Sequence, residues 1–269
     1  MKKTILITGA TDGIGLEAAK MLASKGHKVL LHGRNPVKLK TAEGEVMTVS
    51  DSADADTFMA DLSLLADVEK FADEVTTRYD KIDVLINNAG VYKTGNTKTP
   101  EGFDVRFVVN TIAPYLLTKR LLPLMGAGGR VVNLSSAAQA PVDLNALTTQ
   151  TSIPDSSAYA QSKLAITMWG FHLANELDGS GPAIIAVNPK SLLGSKMVKD
   201  AYGINGGDLS IGADILTRAA LSDEFANASG RYFDNDIGQF AAPHPDALNF
   251  GKCREVTEAV ESVIDQLKG

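Results

Sequence analysis

The stretch Thr4-Ile5-Leu6-Ile7-Thr8-Gly9-Ala10-Thr11-Asp12-Gly13-Ile14-Gly15 decides the fold. Its first four residues are a short apolar run of the kind that forms a buried strand. Three glycines follow with the spacing Gly-x-x-x-Gly-x-Gly. Beyond them Ile14, Ala18, Met21 and Leu22 share one helical stripe, which Gly26 ends. Gly9 permits a tight turn, Gly13 lets a second backbone approach, and Gly15 lets the helix pack close to the sheet. The first N–H groups of that helix have no partner inside it, and its dipole is positive at this end. Both features suit a pyrophosphate. The stretch therefore predicts a dinucleotide site, with Gly9, Thr11, Asp12, Gly13, Ile14 and Gly15 around the phosphates. An ordinary tight turn is the alternative that a glycine loop alone leaves open.

Working outward, apolar strands alternate with helical patterns along the whole chain. Strands are expected at 28–32, 57–60, 82–87, 130–134, 183–187 and 230–233. Helices are expected at 14–25, from Leu65 through Val75, and at 101–124, 157–177, 208–221 and 255–267. This alternation implies parallel pairing with right-handed crossovers. The reading is one doubly wound α/β domain of Rossmann type over 1–269, with about seven strands and helices on both faces. Residues 41–55 are acidic and small and read as an exposed loop. Residues 137–156 are irregular and read as a candidate lid, and 190–207 as a mobile substrate loop.

Composition excludes several functions. Among 269 residues, acidic side chains outnumber basic ones and the net charge is -6, which disfavours nucleic-acid binding. Cys253 is the only cysteine, so no intrachain disulfide can form and a reducing cytoplasm is expected. The N-terminal apolar run is too short for a signal peptide, and no run is long enough for a membrane span. His27, His32, His172 and His244 lack metal-ligand spacing, and no metal is expected.

The end of the second strand should meet the adenosine ribose. A carboxylate there would bind a free 2′-hydroxyl. This chain has His32-Gly33-Arg34-Asn35 instead, and Arg34 could hold a 2′-phosphate. NADP(H) is therefore the expected cofactor, with NAD(H) as the other reading. Asp12 argues the opposite way, because its charge would repel that phosphate. Further on, Tyr159-Ala160-Gln161-Ser162-Lys163 puts a phenol and an ammonium one helical turn apart. An ammonium beside a phenol favours the phenolate, which suits proton exchange with an alcohol or ketone.

Taken in order, these residues resemble the short-chain dehydrogenase/reductase family over nearly the whole chain. Thr8-Gly9, Gly13-Ile14-Gly15, Asp61-Leu62, Asn87-Asn88-Ala89-Gly90, Asn110, Asn133-Leu134-Ser135-Ser136 and Tyr159-x-x-x-Lys163 carry the resemblance. It implies Tyr159 as general acid or base and Lys163 as the group that lowers its pKa and holds the nicotinamide ribose. It also implies that Ser136 binds the substrate oxygen and that Asn110 helps hold a proton-relaying water. Asp61 and Leu62 would touch adenine, while Asn88, Ala89 and Gly90 would line the ribose. Pro189 and Ser195 would lie near the carboxamide.

Two departures stand out. Lys190 replaces the glycine that the family often has after Pro189, and the gap from Ser136 to Tyr159 is long. The length and Ser229-Gly230-Arg231-Tyr232-Phe233 look most like the retinol dehydrogenase and protochlorophyllide reductase branch. That likeness suggests a bulky apolar carbonyl or alcohol substrate, with Tyr92 and the Trp169 region as candidate pocket walls. The apolar faces of 101–124 and 157–177 suggest a homodimer or homotetramer. The rival function is a non-catalytic NAD(P)(H)-sensing protein on the same fold.

Overall fold

The computed structural model describes residues 1–268. Eight strands form one sheet in the order β3-β2-β1-β4-β5-β6-β7-β8. They are β1 (Thr4–Ile7), β2 (Lys28–Gly33), β3 (Asp54–Met59), β4 (Val84–Asn87), β5 (Arg130–Leu134), β6 (Ala183–Asn188), β7 (Arg231–Asp234) and β8 (Gln239–Ala241). Pairing is parallel from β3 through β7, and β8 returns antiparallel on the edge. The eighth strand was absent from the sequence reading because three residues after a tight turn carry almost no periodic signal.

Alternate residues of each strand face opposite sides, so the sheet divides the core in two. Leu6, Leu30, Leu85, Val131 and Ile184 pack on one side, together with side chains of α3 (Leu65–Arg78), α5 (Ala113–Leu121) and α7 (Asp155–Leu177). Ile5, Ile7, Val29, Leu31, Ile86 and Val132 pack on the other, with α1 (Gly13–Ser24) and α9 (Leu209–Leu221). Both faces are covered, which is why the central strands read as continuous apolar runs rather than alternating ones.

Several expectations need correction. Residues 41–55 are not a loop. Asn35 caps α2 (Pro36–Met47) by accepting from Val37 and Lys38 N–H, with Pro36 in the first helical position, and β3 already begins at Asp54. Cap and proline were visible in the sequence, but the sparse apolar stripe hid the helix. The 101–124 helix starts later and is interrupted. Asp104 caps α4 (Val105–Phe107), a π-helical turn spans Val108–Ile112, and α5 follows. Residues 137–156 contain a short helix, α6 (Leu144–Thr148), and 190–207 contain another, α8 (Lys196–Tyr202). The 190–207 segment also closes on itself, since Gly194 N–H donates to Gly207 O and Gly207 N–H to Leu192 O.

The C-terminal helix α10 (Phe250–Lys268) lies against α7. It buries Cys253, Val256, Val260, Val263 and Ile264. Beneath it Trp169 is fully buried and meets the Tyr115 ring edge-on at 5.4 Å, and Tyr115 donates to Glu261 of α10. Trp169 is therefore core, not pocket wall. Part of the apolar face of 157–177 is covered by α10 of the same chain, and α5 packs mainly against α3.

Candidate active site

The carboxyl ends of β1, β2, β4, β5 and β6 open on one cleft of about 430 Å³. All sixteen residues expected to touch a cofactor line it, from Gly9 and Thr11 through Arg34, Asp61 and Gly90 to Pro189 and Ser195. The glycine loop is shaped by close approach. A Cβ on Gly9 would come within 2.9 Å of Ala89 Cα, and one on Gly15 within 2.4 Å of both Asn88 Nδ2 and Gly9 O. Gly13, at φ 57°, meets only Ser195, at 3.8 Å, and leaves its side open to the cleft. These are cradles that side chains would fill, so the residues fit a nicotinamide dinucleotide laid across the N-terminus of α1.

Two residues outside the expected set hold this loop. Thr8 Oγ1 accepts from Asn88 N–H at 3.0 Å and Ala89 N–H at 3.1 Å, while Asn88 Nδ2 donates to Thr8 O and Gly9 O. His32 is buried, accepts from Gly9 N–H through Nδ1 and donates from Nε2 to Ala60 O. It also stacks on Phe71 at 4.7 Å. Burial pushes its pKa down to about 4, so the ring is neutral and its tautomer is set by these two bonds. A histidine ending an apolar strand was the available signal, and only the pairing of loops explains it.

At the ribose end Arg34 is exposed, with Nη1 4.0 Å from the Asp61 carboxylate. An exposed pair at that distance holds the guanidinium weakly and leaves it free to reach an anion. Asp12 is already engaged. It caps α1 through Gly13 N–H at 2.8 Å and lies 3.5 Å from Lys38 Nζ. Its expected repulsion of a 2′-phosphate is thereby blunted.

Tyr159 and Lys163 stand on α7, and Ser136 follows β5. Tyr159 lines both the cleft and a second pocket of about 170 Å³, whose walls include Ser136, Tyr92, Leu192 and Met197. Ser136 hydrogen-bonds the Tyr159 phenol and so favours its ionised form, but burial outweighs this and pushes the phenol up to about 12. The neighbouring phenols Tyr202 and Tyr92 push the same way. Lys163 is buried, 5.7 Å from the Tyr159 ring centre, and donates to Leu134 O at 2.8 Å. Burial brings its own pKa down to about 8. The depressed tyrosine pKa expected from the sequence is therefore reversed here, because the ammonium is turned to a carbonyl and desolvation dominates.

Ser135 points the other way, into bonds with Thr167 Oγ1 and Lys163 O. Asn110 lies in the π-helical turn, a distortion that often marks functional positions. Its amide clasps Val91 in both directions and donates to Ser162 Oγ. A Cβ on Gly90 would sit 3.5 Å from both Asn110 Oδ1 and Lys163 Nζ, so these two atoms bound one small space. Among the described residues, no three His, Cys, Asp or Glu side chains converge to hold a metal.

A doubly wound sheet with a glycine cradle and a phenol at the cleft's far end defines a nicotinamide-dependent oxidoreductase. Comparison with known proteins narrows the class. The family described as short chain dehydrogenase matches residues 3–202. Retinol dehydrogenase 13 of Homo sapiens is 32% identical, over 91% of this chain and 79% of its own length. A Streptomyces sp. (strain C5) protein described as a daunorubicin C-13 ketoreductase is 34% identical, over 96% of this chain and 92% of its own. The solved structure of landomycin C-6 ketoreductase LanV with bound NADP and rabelomycin matches with a TM-score of 0.68 at 28% identity. That match covers 88% of this chain and 95% of that one. The chain belongs to the short-chain dehydrogenase family and is an oxidoreductase of that family.

Proposed function

We infer that this enzyme transfers a hydride between NADP(H) and a carbonyl or secondary alcohol, with Tyr159 as the proton-transfer group. The observation that carries the reading is the position of Tyr159. Tyr159 and Tyr92 both line the dinucleotide cleft and the pocket containing Ser136, and of the two Tyr159 is the phenol that Ser136 hydrogen-bonds and that stands one helical turn from Lys163. A bound nicotinamide dinucleotide supplies the hydride. Ser136 hydrogen-bonds the carbonyl oxygen and Tyr159, protonated at neutral pH, donates the proton that the oxygen gains on reduction. Oxidation of the alcohol reverses both movements.

Lys163, buried against Leu134 O, would hold the ribose hydroxyls. The space between its Nζ and Asn110 Oδ1 suits a water that passes protons onward. Arg34, loosely held and opposite an Asp12 already engaged, favours NADP(H) over NAD(H). Among the described residues, no helix is long and apolar enough to cross a membrane. The buried free thiol of Cys253 agrees with a reducing compartment such as the cytoplasm.

The test combines Tyr159→Phe with paired cofactor titrations. The variant should lose turnover by about 1,000-fold or more while binding NADPH as the parent does. The parent should bind NADPH more tightly than NADH, and Arg34→Ala should erase that difference. Full activity in Tyr159→Phe would sink the assignment.

A further inference from the structure

We propose that Lys190 recognises an anionic group on the substrate, so that the pocket beside Tyr159 selects carbonyl compounds bearing an acidic oxygen group such as a carboxylate; this rests on reading that pocket as the substrate site. The walls of the pocket are Leu192, Leu193, Met197, Val198, Tyr92 and Tyr202, with Ser136 and Tyr159 at the reacting end. Among the residues lining it, Lys190 is the one that carries a charge at neutral pH. The neighbouring lysines are committed elsewhere. Lys196 pairs with Asp200, and Lys93 donates to Ala201 O at 3.1 Å. Lys190 does not line the dinucleotide cleft.

The backbone at this point is unusual. Lys190 has φ 110° and Leu192 has φ 54°, two side-chain-bearing residues in the left-handed half of conformational space within three positions. Glycine would adopt φ 110° without strain, whereas a lysine there is costly and must be held by its surroundings. The strain is held by a clamp. Asp236 accepts from Ser191 N–H at 2.9 Å, Ser191 Oγ at 2.6 Å and Asn188 Nδ2 at 2.9 Å. Asn235 Nδ2 donates to Pro189 O at 3.0 Å.

Asp236 is also the carboxylate that feels the Lys190 charge. Three hydrogen bonds already occupy it, and Lys190 forms no ion pair among the described residues. A pocket with apolar walls and one exposed cation that forms no ion pair at its edge suits a ligand with an apolar body and an acidic group.

The experiment is calorimetric titration of the full chain, with NADP present, using 4-acetylbenzoic acid and its methyl ester, ketones that the oxidised cofactor cannot reduce. The parent should bind the acid at least about tenfold more tightly than the ester. Lys190→Gln and Lys190→Gly should bring the two within about twofold, while Lys190→Arg keeps the preference. Lys190→Gly should also raise the melting temperature, because it relieves the backbone. Equal binding of acid and ester by the parent, or a preference that survives in Lys190→Gln, overturns the proposal. A changed affinity for NADPH in Lys190→Gln also overturns it, since the lysine would then act on the cofactor. Reduction of the same ketones with NADPH tests the Tyr159 reading separately. An acid preference in binding without turnover supports Lys190 and sinks the reaction.

Discussion

The dinucleotide cleft and the pocket beside it share Tyr159 but are built by opposite means. The cleft is made of backbone. Its glycines adopt conformations that glycine accepts freely, and Thr8, Asn88 and His32 satisfy the loops around them. The pocket is made of side chains on a strained segment. It has two non-glycine residues at positive φ, a short helix, and apolar side chains such as Leu192 and Tyr202 that are more than half-exposed or close to it, at 50% and 58%. A ligand gripped by backbone tolerates no added volume, whereas a pocket walled by side chains can change its ligand by substitution. With the cleft read as the cofactor site and the pocket as the substrate site, as proposed above, that contrast would give fixed cofactor recognition and adjustable substrate recognition.

The contrast can be broken most severely at Gly15. Gly15→Ala places a methyl 2.4 Å from Gly9 O, which cannot move without opening the turn. NADPH affinity should fall by about 100-fold, measured by fluorescence titration. A change of less than threefold would show that the cradle is softer than its geometry.

His32 comes next. Its pKa in the folded chain, about 4, lies below the ordinary 6.5, so folding favours the neutral ring. Its contribution is full above pH 6.5 and lost as pH falls through that window towards 4. Urea midpoints should report a loss of about 3 kcal/mol over this range, and His32→Gln should flatten that part of the slope.

Asp236→Ala sharpens the comparison from the pocket side. Without its clamp the Lys190 loop loosens, and KM for substrate should rise about tenfold while NADPH affinity stays fixed. Loss of both together would mean that the two regions are one mechanical unit.

The effect that sets in most gradually is the pH dependence of reduction. Lys163, with its pKa lowered to about 8, loses its charge above that pH. kcat/KM should be halved at about pH 8 and then fall about tenfold per unit. A flat profile to pH 9.5 would remove Lys163 charge from the mechanism.

Much of this was legible in the sequence. The central strands β1, β2, β4, β5 and β6 announced themselves as apolar runs because both sheet faces are buried there, whereas the half-buried edge strand β3 begins at Asp54, ahead of the expected 57–60. The cleft was legible because glycine spacing and strand ends are local features, and the order of strands brings them to one edge. Legibility failed where the cause is not local. The sparse stripe of α2 and the three residues of β8 carry little pattern. The apolar excess of 157–177 has one source that no local pattern shows, because α10, far along the chain, packs against this helix. The neutral state of His32 depends on loops separated by more than twenty residues.

By itself, the sequence determined a doubly wound sheet, a dinucleotide loop at its first turn and a Tyr159–Lys163 pair on one helical face, because periodicity and glycine spacing act over a few residues. Only the tertiary structure decided which way the ionisations of that pair shift, which surface α10 occupies and that the backbone at Lys190 takes a positive φ beside the pocket. Desolvation, coverage and backbone strain depend on what the rest of the chain packs against a residue, and no local pattern records that.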